Sequence, residues 1–271
     1  MPLKGQRIGC LGGGAMGEAL LTGLIEAGLV SPADIFVTDV RPDRLVYLAE
    51  KLGVGTANDN ARVVSAVDIV ILAVKPQAIA GLLTEISPAL TVEKIVISIA
   101  AGIKTELIQS ILERPVPVVR VMPNTPCLVG AGASAVSAGK YALKEHMDKA
   151  LAVFGASGRA APVPEALLDA VTGLSGSGPA FMYLVLEGLV DGAVRMGLPR
   201  DVALTLCAQT MFGAAKMVLE TGDHPARLKD MVTTPGGTTI AGIAALEEGG
   251  VRGHLMKAVG AATMRARELS S

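Results

Sequence analysis

Two clusters of residues in this chain have the makings of chemistry, and both are built to receive anions rather than to attack bonds. The first is Gly12-Gly13-Gly14-Ala15-Met16-Gly17, set directly behind the apolar run Ile8-Gly9-Cys10-Leu11. It reads as a strand that breaks into a glycine turn and opens a helix. In the spacing G-x-G-x-x-G, Gly12 allows the tight turn and Gly14 leaves a pyrophosphate free to approach the backbone. Gly17 lets the helix pack close to the strand, and the N–H groups of the first helical turn face the phosphates. The next strand-like run, 34–38, ends at Asp39, 22 residues past Gly17, where a dinucleotide site puts its ribose-binding acid. In a chain with 32 glycines the turn alone is a weak signal; strand, turn, helix and acid in that order are a strong one.

The second cluster is Thr233-Thr234-Pro235-Gly236-Gly237-Thr238-Thr239, leading straight into an apolar helix-like stretch from Ile240. Free N–H groups at a helix start, with hydroxyls and glycines around them, make a cradle for a carboxylate-sized anion. The competing reading is capping, with Thr238 or Thr239 as the N-cap. Capping does not call for four hydroxyls and two glycines, which favours the cradle. No Ser/His/Asp constellation and no distinctive carboxylate pair accompanies either cluster, so hydrolysis lacks candidates. A nucleotide site plus a small anion site fits hydride transfer, in which the cofactor does the chemistry and the protein positions and desolvates.

Composition narrows the partners. Net charge is −1, from 24 basic and 25 acidic residues, which points away from nucleic acid and anionic membranes. Apolar residues make up 51% of the 271, yet aromatics only 3% and Trp is absent, so Ala, Val, Leu, Ile and Gly do the packing. The longest uncharged apolar runs, 69–74 and 95–103, are strand-length, short of the roughly 20 residues a spanning helix needs. The N-terminus shows no secretory signal pattern, and the expected location is the cytoplasm. Cys10, Cys127 and Cys207 are widely spaced and odd in number, which reads as reduced, buried or half-buried thiols. His146, His224 and His254 lie far apart with no companion ligands, so no metal is expected.

The elements that must hold these clusters are legible. Strand candidates are 7–11, 35–38, 68–74, 94–100, 116–122, 133–137 and 158–162, with amphipathic stretches such as 43–52, 78–90 and 105–112 between them. Central runs such as Ile69-Val70-Ile71-Leu72 are continuously apolar, as in a parallel sheet covered on both faces. Strands interleaved with helices imply a doubly wound α/β domain over 1–163. From 164 to 271 the chain reads as helices, at about 164–173, 178–197, 199–221, 224–232, 238–248 and 251–268, punctuated by proline and glycine.

In a doubly wound sheet the ligand lies beyond the carboxyl ends of the strands. Those ends here are Gly12 to Gly17, Asp39-Val40-Arg41, Ala73-Val74-Lys75-Pro76, Ala100-Ala101-Gly102 and Met122-Pro123-Asn124-Thr125-Pro126. Lys75 could reach a phosphate or ribose, or be a solvated loop lysine. Ala100, Ala101 and Gly102 are small enough to leave room for a flat ring. Asn124, between two prolines, reads as a turn former before a polar ligand.

Two of the helices are too apolar for a surface. In 178–197 the polar side chains Tyr183, Glu187, Asp191 and Arg195 form one narrow stripe at i, i+4 spacing, and in 199–221 Asp201, Thr205, Gln209, Lys216 and Glu220 trace another. Such helices must be buried on most sides, which a bundle of about 105 residues cannot do alone. An obligate oligomer assembled through this domain follows.

The segments 8–17, 73–76, 100–102, 121–125, Thr-Gly-Leu-Ser-Gly-Ser-Gly-Pro-Ala at 172–180, and above all 228–242 resemble pyrroline-5-carboxylate reductase nearly end to end. That resemblance implies a Rossmann domain followed by an all-helical dimerisation domain. It also implies reduction of Δ1-pyrroline-5-carboxylate to L-proline with NADPH or NADH, the last step of proline biosynthesis, in a homodimer that in many members builds a decamer, a pentamer of dimers. By the same resemblance Leu11, Gly12, Gly13, Gly14, Ala15, Met16 and Gly17 hold the pyrophosphate, Asp39 to Arg41 the adenosine ribose, and Asn60 a further part of the cofactor. Ala73, Val74, Lys75, Pro76, Ala100, Ala101 and Gly102 line the nicotinamide side. Thr234, Gly237, Thr238 and Thr239 hold the substrate carboxylate and ring nitrogen, completed across the dimer interface, with Thr239 as the catalytic hydrogen-bond partner of the nitrogen. Asp39 favours a ribose 2′-OH and Arg41 a 2′-phosphate, so the preferred cofactor stays open. Two other readings stand beside this one. A β-hydroxyacid-dehydrogenase-like reductase needs a helix lysine spaced G-x-x-x-K-x-x-x-N, which Gly213-Ala214-Ala215-Lys216 and Glu220 do not match. A non-enzymatic nucleotide sensor leaves the threonine cluster unexplained.

Overall fold

Apolar strands become a two-sided sheet because successive side chains point to opposite faces. The computed structural model describes residues 2–270. They fall into an α/β unit, 2–177 with 261–270, and a helical unit, 178–260. The first unit contains β1 (Ile8–Leu11), β2 (Ile35–Thr38), β3 (Gly55–Ala57), β4 (Ile69–Leu72), β5 (Ile95–Ser98), β6 (Val118–Met122), β7 (Gly132–Ala138) and β8 (Gly158–Pro162). Between them run α1 (Ala15–Glu26), α2 (Pro42–Leu52), α3 (Asn60–Ala66), α4 (Ile79–Ile86), α5 (Thr105–Leu112) and α6 (Lys144–Gly155). The strands stand in the order β3-β2-β1-β4-β5-β6-β7-β8, so the order reverses between β1 and β4. Within β4, Ile69 and Ile71 enter one core with α1 and α6, while Val70 and Leu72 enter the other with α3, α4 and α5. Each such buried side chain contributes about 1.5–3 kcal/mol, and the central run Ile69 to Leu72 carries no polar residue.

Local details differ from the sequence reading. Strand β7 runs antiparallel to β6, with Arg120 opposite Ser137, so the sheet is mostly rather than wholly parallel. The three-residue β3 has no apolar run to announce it; it is an edge strand paired to β2 through Phe36 opposite Gly55, where a Cβ on Gly55 would lie 2.7 Å from the Phe36 ring. Helix α4 stops at Ile86 and gives way to a 3₁₀ turn at Ser87–Ala89, because Pro88 has no N–H to continue the ladder.

Among the described residues no strand follows β8. A short α7 (Leu168–Val171) runs into a π turn at Thr172–Gly176, closed by Ser177 N–H donating to Thr172 O at 2.8 Å, where the sequence suggests one plain helix. Then follow α8 (Gly178–Arg195), α9 (Arg200–Thr221), α10 (Pro225–Met231), α11 (Thr238–Glu248) and α12 (Val251–Ser270), close to the expected limits; residues 261–270 of α12 belong to the α/β unit. Large apolar side chains stay exposed along α8 and α9, among them Leu184 at 70%, Phe212 at 57% and Leu219 at 58%. Where the sequence reading finds only strand-length apolar runs, α9 is by length and composition long and apolar enough to cross a membrane. Exposed apolar helix faces of this extent mark an association surface, for another chain or for a membrane.

Candidate functional site

The glycine turn sits where the strand order reverses, the place a doubly wound sheet offers a ligand. Each glycine has its own reason. Gly12 has φ +107, and a Cβ there would stand 2.6 Å from Ala73 O, so the turn lies hard against the end of β4. A Cβ on Gly17 would stand 2.5 Å from Gly12 O, which is the close helix-to-turn packing. Around Gly14 a Cβ would meet nothing within 4 Å. Gly14 is the N-cap of α1 and no side chain caps it, so the first N–H groups of the helix face open space. The fold therefore constrains Gly12 and Gly17, and the space at Gly14 is shaped for a ligand group that takes N–H bonds. The residues present fit a dinucleotide pyrophosphate.

Asp39 follows β2 and touches the same turn. Its Oδ2 accepts from Gly13 N–H at 2.9 Å and its Oδ1 from Arg41 N–H at 2.9 Å. Burial, with the Asp39 charge behind it, pushes the neighbouring Cys10 thiol up to about 12, so Cys10 is a packing residue. Sequence reasoning missed a brace behind the turn. Arg44 donates through Nε to Gly13 O at 2.5 Å and pairs with Glu18, and its guanidinium lies 4.8 Å above the Tyr47 ring. Lys51 Nζ donates to Glu18 Oε1 at 2.8 Å and to the Tyr47 hydroxyl at 2.9 Å. Burial acts to raise the Glu18 pKa, but the hydrogen bonds from Lys51, Arg44 and Tyr47 outweigh it and hold the carboxyl below its usual value. Residues 44, 47 and 51 share one face of α2 at i, i+3 and i+4 steps, and that spacing was the available signal.

The other expected cofactor residues are placed as follows. Asn60, the first residue of α3, accepts through Oδ1 from the Thr38 hydroxyl at 2.6 Å and donates through Nδ2 to Glu85 at 3.1 Å, so its amide joins β2 to α4. Ala73 N–H donates to Leu11 O at 2.8 Å, and Val74 and Pro76 are half-buried, with an exposed Lys75 between them. Ala100 is buried and Ala101 exposed; a Cβ on Gly102, at φ +77, would stand 3.3 Å from Leu269 O in the last turn of α12. Asn124 is a brace, as the turn reading expects: Oδ1 accepts from Ala133 N–H at 2.8 Å and Nδ2 donates to Ser175 O at 3.1 Å.

In the helical unit the threonine cluster is resolved residue by residue. Thr233 donates its hydroxyl to Lys229 O at 2.7 Å and ends α10. Gly237 N–H donates to Thr234 O at 3.1 Å across Pro235-Gly236, with Gly236 at φ +67, the residue placement of a type II turn. A Cβ on Gly237 would strike the Thr234 hydroxyl. The N-cap of α11 is Gly237, and no side chain caps it. Neither Thr238 nor Thr239 is the cap, which corrects the capping alternative. Thr238 is exposed and Thr239 half-buried in the first turn of α11, beside its free N–H groups, and Thr234 is exposed at the turn before it. Hydroxyls and N–H donors thus share one short segment, as an anion cradle requires.

Comparison with known proteins covers both parts. The family described as pyrroline-5-carboxylate reductase dimerisation matches residues 165–269, and that described as NADP oxidoreductase coenzyme F420-dependent matches 7–102. The pyrroline-5-carboxylate reductase of Methanosarcina acetivorans is 51% identical over 98% of this chain and 99% of its own length. A pyrroline-5-carboxylate reductase structure from Coxiella burnetii is 39% identical, with a TM-score of 0.95 over 98% of this chain and 99% of that one. The Plasmodium falciparum pyrroline carboxylate reductase, solved with NADP bound, is 30% identical, with a TM-score of 0.86 over 99% of this chain and all of that one (100%).

Proposed function

Because this chain belongs to the pyrroline-5-carboxylate reductase family, and so reduces Δ1-pyrroline-5-carboxylate to L-proline with NAD(P)H in the last step of proline biosynthesis, we propose that its residues divide the work between two anion sites. The bound cofactor supplies the hydride. The first helical turn of α1, opening at Gly14, receives the pyrophosphate, and Asp39 with Arg41 receives the adenosine ribose. Ala73 to Pro76 and Ala100 to Gly102 lie along the nicotinamide end. In the helical unit the N–H groups opening α11 and the hydroxyls of Thr234 and Thr238 hold the substrate carboxylate. The protonated ring nitrogen donates to the Thr239 hydroxyl. Protonation makes C5 of the cyclic imine the better hydride acceptor, and the amine product keeps that proton, so no strong acid is required of the enzyme. The observation that carries this division is the uncapped start of α11 with hydroxyls on either side of it. Loss of NADH or NADPH absorbance on adding pyrroline-5-carboxylate to the purified protein tests the reaction, and no loss with either cofactor would overturn it.

The chain takes a small-molecule substrate and oligomerises through its helical domain. We propose a homodimer that assembles further into a decamer, in the cytoplasm and without nucleic acid or membrane partners. The exposed apolar faces of α8 and α9 support the dimer and the near-zero net charge of −1 supports the last point.

A further inference from the structure

The Asp39 carboxylate is held from two loops at once. Gly13 N–H and Arg41 N–H each donate to one of its oxygens at 2.9 Å, Arg41 Nε stands 3.6 Å from Oδ1, and the side chain is only 11% exposed. It cannot turn away from the end of β2 without releasing the glycine turn. The cations nearby are already committed to acids: Arg41 to Asp39, and both Arg44 and Lys51 to Glu18, with Arg44 also bound to Gly13 O.

Resting on the assignment of the glycine turn and Asp39 to the nucleotide, we propose that the fixed Asp39 carboxylate makes this enzyme select NADH over NADPH. A ribose 2′-OH can donate to a lone pair that the two N–H bonds leave free on the carboxylate. A 2′-phosphate is largely deprotonated near pH 7 and brings about −1.5 to −2 charge beside a negative group that cannot move. Like charges brought together this closely in a partly dry site weaken binding by about tenfold or more. The Arg41 guanidinium, 59% exposed, faces this carboxylate with Nε 3.6 Å from Oδ1, so the charge of the acid offsets much of its own at that side of the ribose. Releasing Arg41 by removing the acid should make it a phosphate ligand.

Calorimetric titration of NAD+ and NADP+ into the parent, Asp39→Asn and Asp39→Ser proteins tests this directly, with KM for NADH and NADPH as the second readout. Asparagine keeps the shape and an acceptor for Gly13 N–H; serine removes the group where asparagine fails to fold. The parent should bind NAD+ at least about tenfold more tightly than NADP+, and either variant should shrink that ratio about tenfold, chiefly by tightening NADP+. Adding Arg41→Ala to the variant should cancel the gain. A parent that binds NADP+ as tightly as NAD+ overturns the proposal and leaves the nucleotide site standing, and so does a ratio unmoved by both variants. A folded parent that binds neither nucleotide overturns the site and the proposal together.

Discussion

The glycines of the turn should separate, by substitution, into those the fold needs and the one the ligand needs. Gly14→Val puts a branched side chain into space where a Cβ meets no atom within 4 Å, on an extended backbone with φ −64 and ψ −179 that valine adopts. Its structural cost is the exchange of a tolerable N-cap for a poor one, about 1 kcal/mol or less. Its ligand cost is larger, because it blocks the approach to the N–H groups of α1. Losing even one hydrogen bond to a charged phosphate oxygen costs about 1.5–3 kcal/mol, or at least about tenfold in affinity. Gly12→Ala behaves in the opposite way. At φ +107 an alanine carries strain of about 1–3 kcal/mol. Its Cβ, 2.6 Å from Ala73 O, adds an overpacking cost of about 1–3 kcal/mol more. Gly17→Ala, 2.5 Å from Gly12 O, should lose about 1–3 kcal/mol by overpacking alone. Denaturant titration measures the stabilities, and calorimetry with NAD+ and NADP+ measures the binding. A folded Gly14→Val protein with parental affinity for both nucleotides would remove residues 12–17 from the site. A Gly14→Val protein as unstable as Gly12→Ala would refute the division of roles among the glycines.

Thr239→Val should lower kcat/KM roughly 10- to 100-fold, the value of one hydrogen bond to a charged nitrogen, with cofactor affinity nearly unchanged. Since Gly237 is the N-cap, stability should stay within about 0.5 kcal/mol of the parent; parental kinetics in the folded variant would withdraw Thr239 from the catalytic role. Light scattering on dilution to micromolar should show a dimer or larger, because α8 and α9 expose more apolar surface than a monomer tolerates; a stable, active monomer would sink that claim. The Glu18 carboxyl is held below its usual 4.5 in the folded chain, so its stabilising contribution is complete above about pH 4.5 and disappears as pH falls through the folded value. The difference in Tm between the parent and Glu18→Gln should therefore narrow from about pH 7 to about pH 3, and a constant difference would show that the brace behind the turn does not depend on that charge.

Much of this protein was readable from local pattern, because the pattern is local physics. The continuous apolar runs at Ile69 to Leu72 and Ile95 to Ile97 announce strands buried on both faces, and the two cores they feed are where such strands must put alternate side chains. The glycine spacing announces a turn packed tightly on itself and on the end of β4, although it does not announce Leu48 of α2 behind Gly13. The narrow polar stripes of α8 and α9 announce a partner, since burial demand depends on composition and not on knowing who covers the face. What the tertiary structure decided are matters of pairing across long separations. The direction of β7, a strand the sequence reads at 133–137, and the existence of the short edge strand β3 were settled by their partners and not by propensity. Whether a threonine or a glycine caps α11 turned on the backbone course of Pro235-Gly236-Gly237, where a turn closed by Thr234 O leaves the cap to Gly237. The carboxylate of Asp39 reaches Gly13 N–H 26 residues away only because β1 and β2 are neighbours in the sheet, so its fixed orientation had no trace in the order of the residues.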